Sequence, residues 1–336
     1  MKTIKLDENK NPFLPNKKML KFFAKNTHLI SEYPSINNDV IDEKIAQTFS
    51  IDKYNVMFGN GSMDIFGKLV DMFGDVTYGI ISPSFWGFKH FLYLNNYKKW
   101  KHLELTNKNQ TDLNNLEKLA KVCKVIYLCN TNNPSLQYFS KTALLRVIKA
   151  HPECHFVIDE TLLTFEDFYQ KSLFKHSKKL DNLSVVISIS KIFGIAGLRV
   201  GILFSNKHLI ARLKSGVVPF ITNNLTEKFI LKFLPIFNNL DEIRDKIYSN
   251  FKYLQKHISK KHITEIVNTN SSFINIFTDD KINLKDLKTY LEQHNILLRY
   301  SFELVGTSSN FLRVSSGTKA QYKKFIHHFN KYCRGI

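Results

Sequence analysis

Ser188-Ile189-Ser190-Lys191-Ile192-Phe193-Gly194-Ile195-Ala196-Gly197-Leu198-Arg199-Val200-Gly201 is the stretch on which the reading of this 336-residue chain turns. The apolar run 185–189 that leads into it has the length and β-branching of a buried strand. A lysine placed straight after such a strand must be solvated or paired, and lysines in that setting titrate readily and form Schiff bases. Arg199 is one of only seven arginines among 48 Lys+Arg. Its planar fork, set in a glycine-rich turn, points to an anion. Taken singly, each feature also has a plain structural meaning, Lys191 as a surface residue and the glycines as turn formers.

Working outward, from about residue 54 to 206 short β-rich runs alternate with helical stretches. The expected strands are 54–58, 78–82, 102–105, 125–129, 155–159, 185–190 and 199–204, with helices over 62–73, 84–95, 113–120 and 140–150. This rhythm predicts an α/β fold with a mostly parallel sheet flanked by helices. In such sheets ligands gather beyond the carboxyl ends of the strands. The last third reads as α+β. A long helix over 226–257 is expected to kink at Pro235, followed by strands at 272–277, 296–300 and 311–315 and helices at 284–294 and 320–332. The expected division is a large domain over 36–235 and a smaller domain from 1–35 and 236–336.

Composition narrows the function classes. The chain carries 48 Lys+Arg against 29 Asp+Glu, a formal charge of +19, with 43% hydrophobic and 23% charged residues. That is a globular balance and excludes wholesale disorder. No apolar run approaches the ~20 residues of a membrane helix. Residues 1–12 are too polar for a secretory signal, so a cytoplasmic protein with no membrane partner is expected. A basic chain raises nucleic acid as a partner. Yet 41 of the 48 basic residues are lysines, scattered in ones and twos, whereas nucleic-acid readers favour arginine. No nucleic-acid partner is expected. Cys123, Cys129, Cys154 and Cys333 form no CxxC pair, and His28, His90, His151, His155 and His176 lack ligand spacing, so neither a disulfide framework nor a metal is expected.

Polar residues collect where the expected strands end. Gly59-Asn60-Gly61-Ser62 opens a helix whose amides can meet an anion. Pro83-Ser84-Phe85-Trp86 puts aromatics at the mouth of the sheet, and Asp159 stands at another strand end. In this order, N-T-N-N-P (130–134), V-I-D-E (157–160) and the 188–201 stretch resemble the fold type I pyridoxal 5'-phosphate (PLP) enzymes of the aspartate aminotransferase superfamily. N-K-N-P-F (9–13), E-Y-P (32–34), G-N-G-S (59–62) and F-L-R-V-S-S-G-T (311–318) extend the likeness, over nearly the whole chain, to histidinol-phosphate aminotransferases and threonine-phosphate decarboxylases.

The resemblance implies PLP as cofactor, with Lys191 as its Schiff-base lysine and proton carrier and Asp159 holding the pyridine nitrogen protonated. It also implies that Asn133 donates to the ring hydroxyl and Phe85 stacks on the ring. The cofactor phosphate would sit among Gly61, Ser62, Ser188, Ser190 and Arg199, with Met63 beside them. Tyr33 would reach the phosphate of a second subunit, implying a homodimer with shared sites. Asn11, Phe13, Arg299 and Arg313 would meet a small anionic, phosphorylated substrate. Five residues depart from the family pattern. Leu162 stands where a tyrosine often bonds the cofactor, Leu136 replaces a turn glycine, Met63-Asp64 replaces Asp-Glu, and Phe13 often stands as tyrosine. The expected activity is amino-group transfer. Decarboxylation of a phosphorylated amino acid such as phosphothreonine or phosphoserine is the alternative, since motifs do not record which Cα bond is held perpendicular to the ring.

Overall fold

A computed structural model of the chain describes residues 3–104, 113–216, 218–304, 306–307 and 309–336. The first strand, β1 (Ile4–Lys5), is followed by the seven strands of the central sheet. These are β2 (Val56–Asn60), β3 (Tyr78–Ser82), β4 (Trp100–Glu104), β5 (Val125–Cys129), β6 (His155–Asp159), β7 (Leu183–Ser188) and β8 (Val200–Phe204). Their order is β2-β8-β7-β6-β5-β3-β4, and β8 alone runs against the rest. Every residue of β5, β7 and β8 is buried, as expected where helices cover both faces of a parallel sheet. The α/β architecture expected for fold type I is thus present.

The reversed strand matters for the site. Strands β2, β3, β5, β6 and β7 all end at one edge of the sheet. Because β8 is antiparallel, its first residue lies at that same edge, and Arg199 immediately precedes it. The motif 188–201 therefore leaves the edge with β7, turns at Lys191, and returns to it at Arg199.

The smaller sheet is antiparallel, in the order β12 (Arg299–Tyr300), β13 (Phe311–Ser315), β10 (Phe273–Thr278) and β9 (Ile263–Val267), while β1 pairs in parallel with β11 (Ile296–Leu297). The expected strand 296–300 is thus two short strands in different sheets. The expected helix 226–257 is interrupted rather than kinked. It runs Asn224–Phe233, tightens to a 3-10 segment Leu234–Asn239 with Pro235 in its first turn, and resumes over Asp241–His257. Proline lacks the N–H that a continuous α-helix needs there. The expected strand 54–58 sits two residues later, because Asp52 caps a 3-10 turn Lys53–Asn55 through Tyr54 N–H. The strand expected at 102–105 begins at Trp100, and Leu105 lies outside the described residues. No described helix is long and apolar enough to cross a membrane. Among the described residues no group of three or more His, Cys, Asp or Glu is placed to hold a metal ion.

Candidate active site

Lys191 sits in the turn after β7. Ile195 N–H to Ser190 O (2.8 Å) and Gly194 N–H to Lys191 O (3.1 Å) close that turn. Its Nζ lies 5.8 Å from the centre of the Phe85 ring. Burial pushes the lysine below its ordinary value; Asp159 opposes this, and the cations Arg313 and Arg199 reinforce it. A lysine so placed has more of its neutral, nucleophilic form near neutral pH. Ser188 and Ser190 brace the turn against β8. Ser188 Oγ donates to Val200 O (2.9 Å), and Ser190 Oγ accepts from Val200 N–H (2.9 Å).

Asp159 ends β6 and is buried. Its Oδ1 accepts from Thr161 N–H (2.9 Å), and its Oδ2 accepts from the hydroxyl of Tyr127 (3.0 Å). Tyr127 is not among the residues expected from the sequence. The available signal was a lone phenol inside the apolar run of β5, since a buried tyrosine hydroxyl needs a partner. Its ring stacks on Phe88 at 4.8 Å, which aims the hydroxyl at the carboxylate.

A second cluster is built for an anion. The helix Ser62–Phe73 starts at the end of β2 behind Gly61, with no side-chain cap on its first amides. Arg199, exposed and held in a left-handed conformation (φ +55°), donates to Ala196 O and has no ion-pair partner among the described residues. A Cβ on Gly61 would lie 2.7 Å from its Nη2, so only glycine lets the guanidinium approach the helix N-terminus this closely. Uncapped amides and an unpaired guanidinium together fit a phosphate dianion. Gly61→Ala also adds strain of about 1–3 kcal/mol at φ +86°. It is expected to weaken PLP binding by roughly 10- to 100-fold in an absorbance titration of the cofactor-free protein. Phe85 and Met63 converge nearby: a Cβ on Gly87 would lie 2.3 Å from the Phe85 ring and 2.6 Å from Met63 Sδ.

The smaller sheet supplies the opposite wall. Arg313 is buried, donating from Nη1 to Asn133 Oδ1 (2.8 Å) and from Nη2 to the Asp7 carbonyl (2.9 Å). Its Nε finds no hydrogen-bond partner among the described residues. Burial and Arg299 push it down to about 10. Arg299 is exposed, stands directly opposite Arg313 in the β12–β13 register, and has Glu303 at 3.9 Å. Like charges at facing positions repel unless an anion lies between them. The two leucines that depart from the family pattern pack together. Leu136 and Leu162 form one buried cluster with Phe273, whose ring lies 5.1 Å from the Arg313 guanidinium. Leu136 takes a left-handed φ of +63°, a conformation that glycine adopts without a Cβ penalty.

Three further expected site residues have other neighbours. Asn11 is buried with Oδ1 and Nδ2 both bonded within the protein. Phe13 lines a groove with Glu242, Asp245, Ser249, Asn250 and Lys319. Tyr33 is 90% exposed, edge-on to Phe220 at 5.9 Å.

Residues 1–329 match the family model for aminotransferase class I and II. The chain belongs to that family. The histidinol-phosphate aminotransferase of Christiangramia forsetii is 28% identical over 335 residues, covering 97% of this chain and 89% of that protein. The crystal structure of the histidinol-phosphate aminotransferase from Clostridium acetobutylicum superposes with a TM-score of 0.90 at 19% identity, covering 99% and 100% of the two chains. That of L-threonine-O-3-phosphate decarboxylase from Porphyromonas gingivalis gives 0.82 at 21% identity, covering 98% and 99%. The cofactor of this aminotransferase is PLP, and a lysine, a strand-end carboxylate and a phosphate cradle at one sheet edge fit that group.

Proposed function

We propose that this aminotransferase moves an amino group to or from a small anionic, phosphorylated amine or amino acid. The observation that carries the reading is the facing pair Arg299 and Arg313, one of them buried with an unpartnered Nε, beside Lys191. The named activity of the Christiangramia forsetii relative, on histidinol phosphate, agrees with that anionic class. Bound PLP supplies an electron sink for the electrons of a Cα bond. In this reading Lys191 anchors it and carries the Cα proton, and Asp159, steadied by Tyr127, keeps the pyridine nitrogen cationic. Phe85 would stack on the ring, and Asn133, which braces Arg313, would donate to the ring hydroxyl oxygen. Gly61, Ser62 and Arg199 would hold the phosphate. Ser188 and Ser190 support them from the β8 side.

The structural likeness to a threonine-phosphate decarboxylase keeps one second reading, loss of a carboxylate from a phosphorylated amino acid. Incubation with phosphorylated amines and amino acids, with and without a 2-oxo acid, separates the two. Product formation that requires the 2-oxo acid supports transfer. Carbon dioxide released without it overturns that reading.

The enzyme is further read as a cytoplasmic homodimer. The four cysteines are all free and buried, as suits a reducing compartment. Tyr33, Ile30, Ile36 and Phe220 leave an apolar patch in solvent, although Asn224 Nδ2 fixes this segment through the carbonyls of Leu29, Glu32 and Tyr33. A held but exposed tyrosine suits a partner subunit's site. Tyr33→Ala and Lys191→Ala proteins, each nearly inactive, are then expected to regain about a quarter of wild-type activity when unfolded and refolded together, because mixed dimers contain one intact site. No recovery on mixing would count against shared sites.

A further inference from the structure

Residues 4–14 form a strap that touches both walls of the site. Ile4 and Leu6 donate to the carbonyls of Asn295 (2.8 Å) and Leu297 (2.9 Å), and Ser315 N–H donates back to Leu6 O (2.8 Å). The Asp7 carbonyl accepts from Arg313 Nη2 (2.9 Å), Asn9 Oδ1 accepts from Ser315 Oγ (2.8 Å), and Lys10 O accepts from Ser316 Oγ (2.8 Å). One residue later the strap changes partner. Asn11 N–H donates to Lys191 O (2.9 Å), and Asn11 Nδ2 donates to Ile192 O (2.7 Å). Its Oδ1 accepts from Phe13 N–H (2.8 Å), which makes a tight turn. The contact then closes at Gly194, whose φ is +64°. A Cβ there would lie 1.9 Å from the Leu14 carbonyl oxygen, so the lysine turn can meet the strap only as glycine.

We infer that Asn11 is a positioning residue for Lys191, gripping the two carbonyls at and after the lysine through the strap that also holds the substrate-side Arg313. The inference rests on reading Lys191 as the cofactor lysine. Two bonds to successive carbonyls fix the backbone from which the long lysine stem projects. One short run of chain, from Asp7 to Asn11, thus links the lysine turn to Arg313, in addition to the bonds that brace each of them against the large sheet. Asn11 is 1% exposed and both of its side-chain polar atoms are engaged by the protein, so its chemistry is directed to this backbone.

The test uses Asn11→Ala and the milder Asn11→Ser, which carries the measurement if the alanine variant fails to fold. In cofactor-free protein, the pH dependence of Lys191 acylation by an amine-reactive anhydride is read peptide by peptide by mass spectrometry. Asp159, Arg313, Cys129 and Arg199 are the ionisable groups that set its midpoint besides burial. Either substitution removes the Nδ2 bond to Ile192 O and leaves only the backbone bond to Lys191 O; the loosened lysine turn gains solvent, and the midpoint is expected to rise toward the ordinary lysine value. In holoenzyme kcat is expected to fall about 10- to 100-fold while KM stays within about twofold, the pattern of a misplaced catalytic group. A raised KM with kcat and the acylation midpoint unchanged would make Asn11 a substrate contact and overturn the inference. A lower melting temperature with kcat and the midpoint both unmoved would overturn it too. Failure of the lysine reading itself shows elsewhere, as yellow absorbance that survives Lys191→Ala.

Discussion

Lys191→Ala is expected to abolish the yellow absorbance of the PLP-loaded protein and to lower turnover by at least about 10⁴-fold, since the proposed role makes one side chain both covalent anchor and proton carrier. The loss is chemical and leaves the fold intact. Lys191 lies in a place where burial and two arginines disfavour its charge, and only Asp159 and Cys129 favour it. Removing a cation from such a place relieves the folded state, so the cofactor-free variant is expected to melt no lower than the wild type. Absorbance titration with PLP and a thermal melt on the same sample check both halves. A yellow variant, or one that unfolds early, would contradict the role given to this lysine.

Arg313→Lys is expected to weaken substrate binding strongly. It preserves the charge but not the fork, so the Asn133 and Asp7 contacts at 2.8 and 2.9 Å cannot both be kept while the substrate is held. Truncating one partner of a buried, hydrogen-bonded charge contact costs about 2–4 kcal/mol, or roughly 30- to 1,000-fold in KM. Arg299→Lys is expected to act more weakly, about 3- to 10-fold, because Arg299 is exposed and its nearest carboxylate lies 3.9 Å away. Steady-state kinetics on both variants checks the order. An Arg299 effect exceeding that of Arg313 would move the anion site outward, toward the exposed strand β12.

The parts of the site legible in the sequence are those that the sheet edge imposes. Lys191, Asp159, Asn133 and Arg199 all stand at strand ends, so a correct strand order brings them together without knowledge of any side-chain contact. What escaped depends on pairing across the fold. Tyr127 acquires its role only because β5 lies beside β6 in a register that aims its hydroxyl at Asp159. The use of Asn11 is equally hidden, since its partners are backbone carbonyls 180 residues away or more, which any residue type would present. The departures at Leu136 and Leu162 look like separate defects in the sequence, yet the two side chains meet and fill one space beneath Phe273. Short strands misled for a related reason. The half-exposed β9, I-T-E-I-V, has too mixed a face to announce itself, and 296–300 reads as one strand although its halves join different sheets. The break at Pro235 was placed correctly but its extent was not, because a proline dictates where an α-helix stops and not how far the 3-10 turn runs.

The central claim is transfer of an amino group at a site with Lys191 at its base and Arg313 at its substrate end. Its most direct measurement is the fate of isotopes in a phosphorylated amino substrate labelled with ¹⁵N at the amine and, where it has one, ¹³C at the carboxyl, incubated with a 2-oxo acid and the PLP-loaded enzyme. The ¹⁵N is expected in the new amino acid, with the carboxyl carbon retained. Labelled carbon dioxide with ¹⁵N still on the product amine would contradict it.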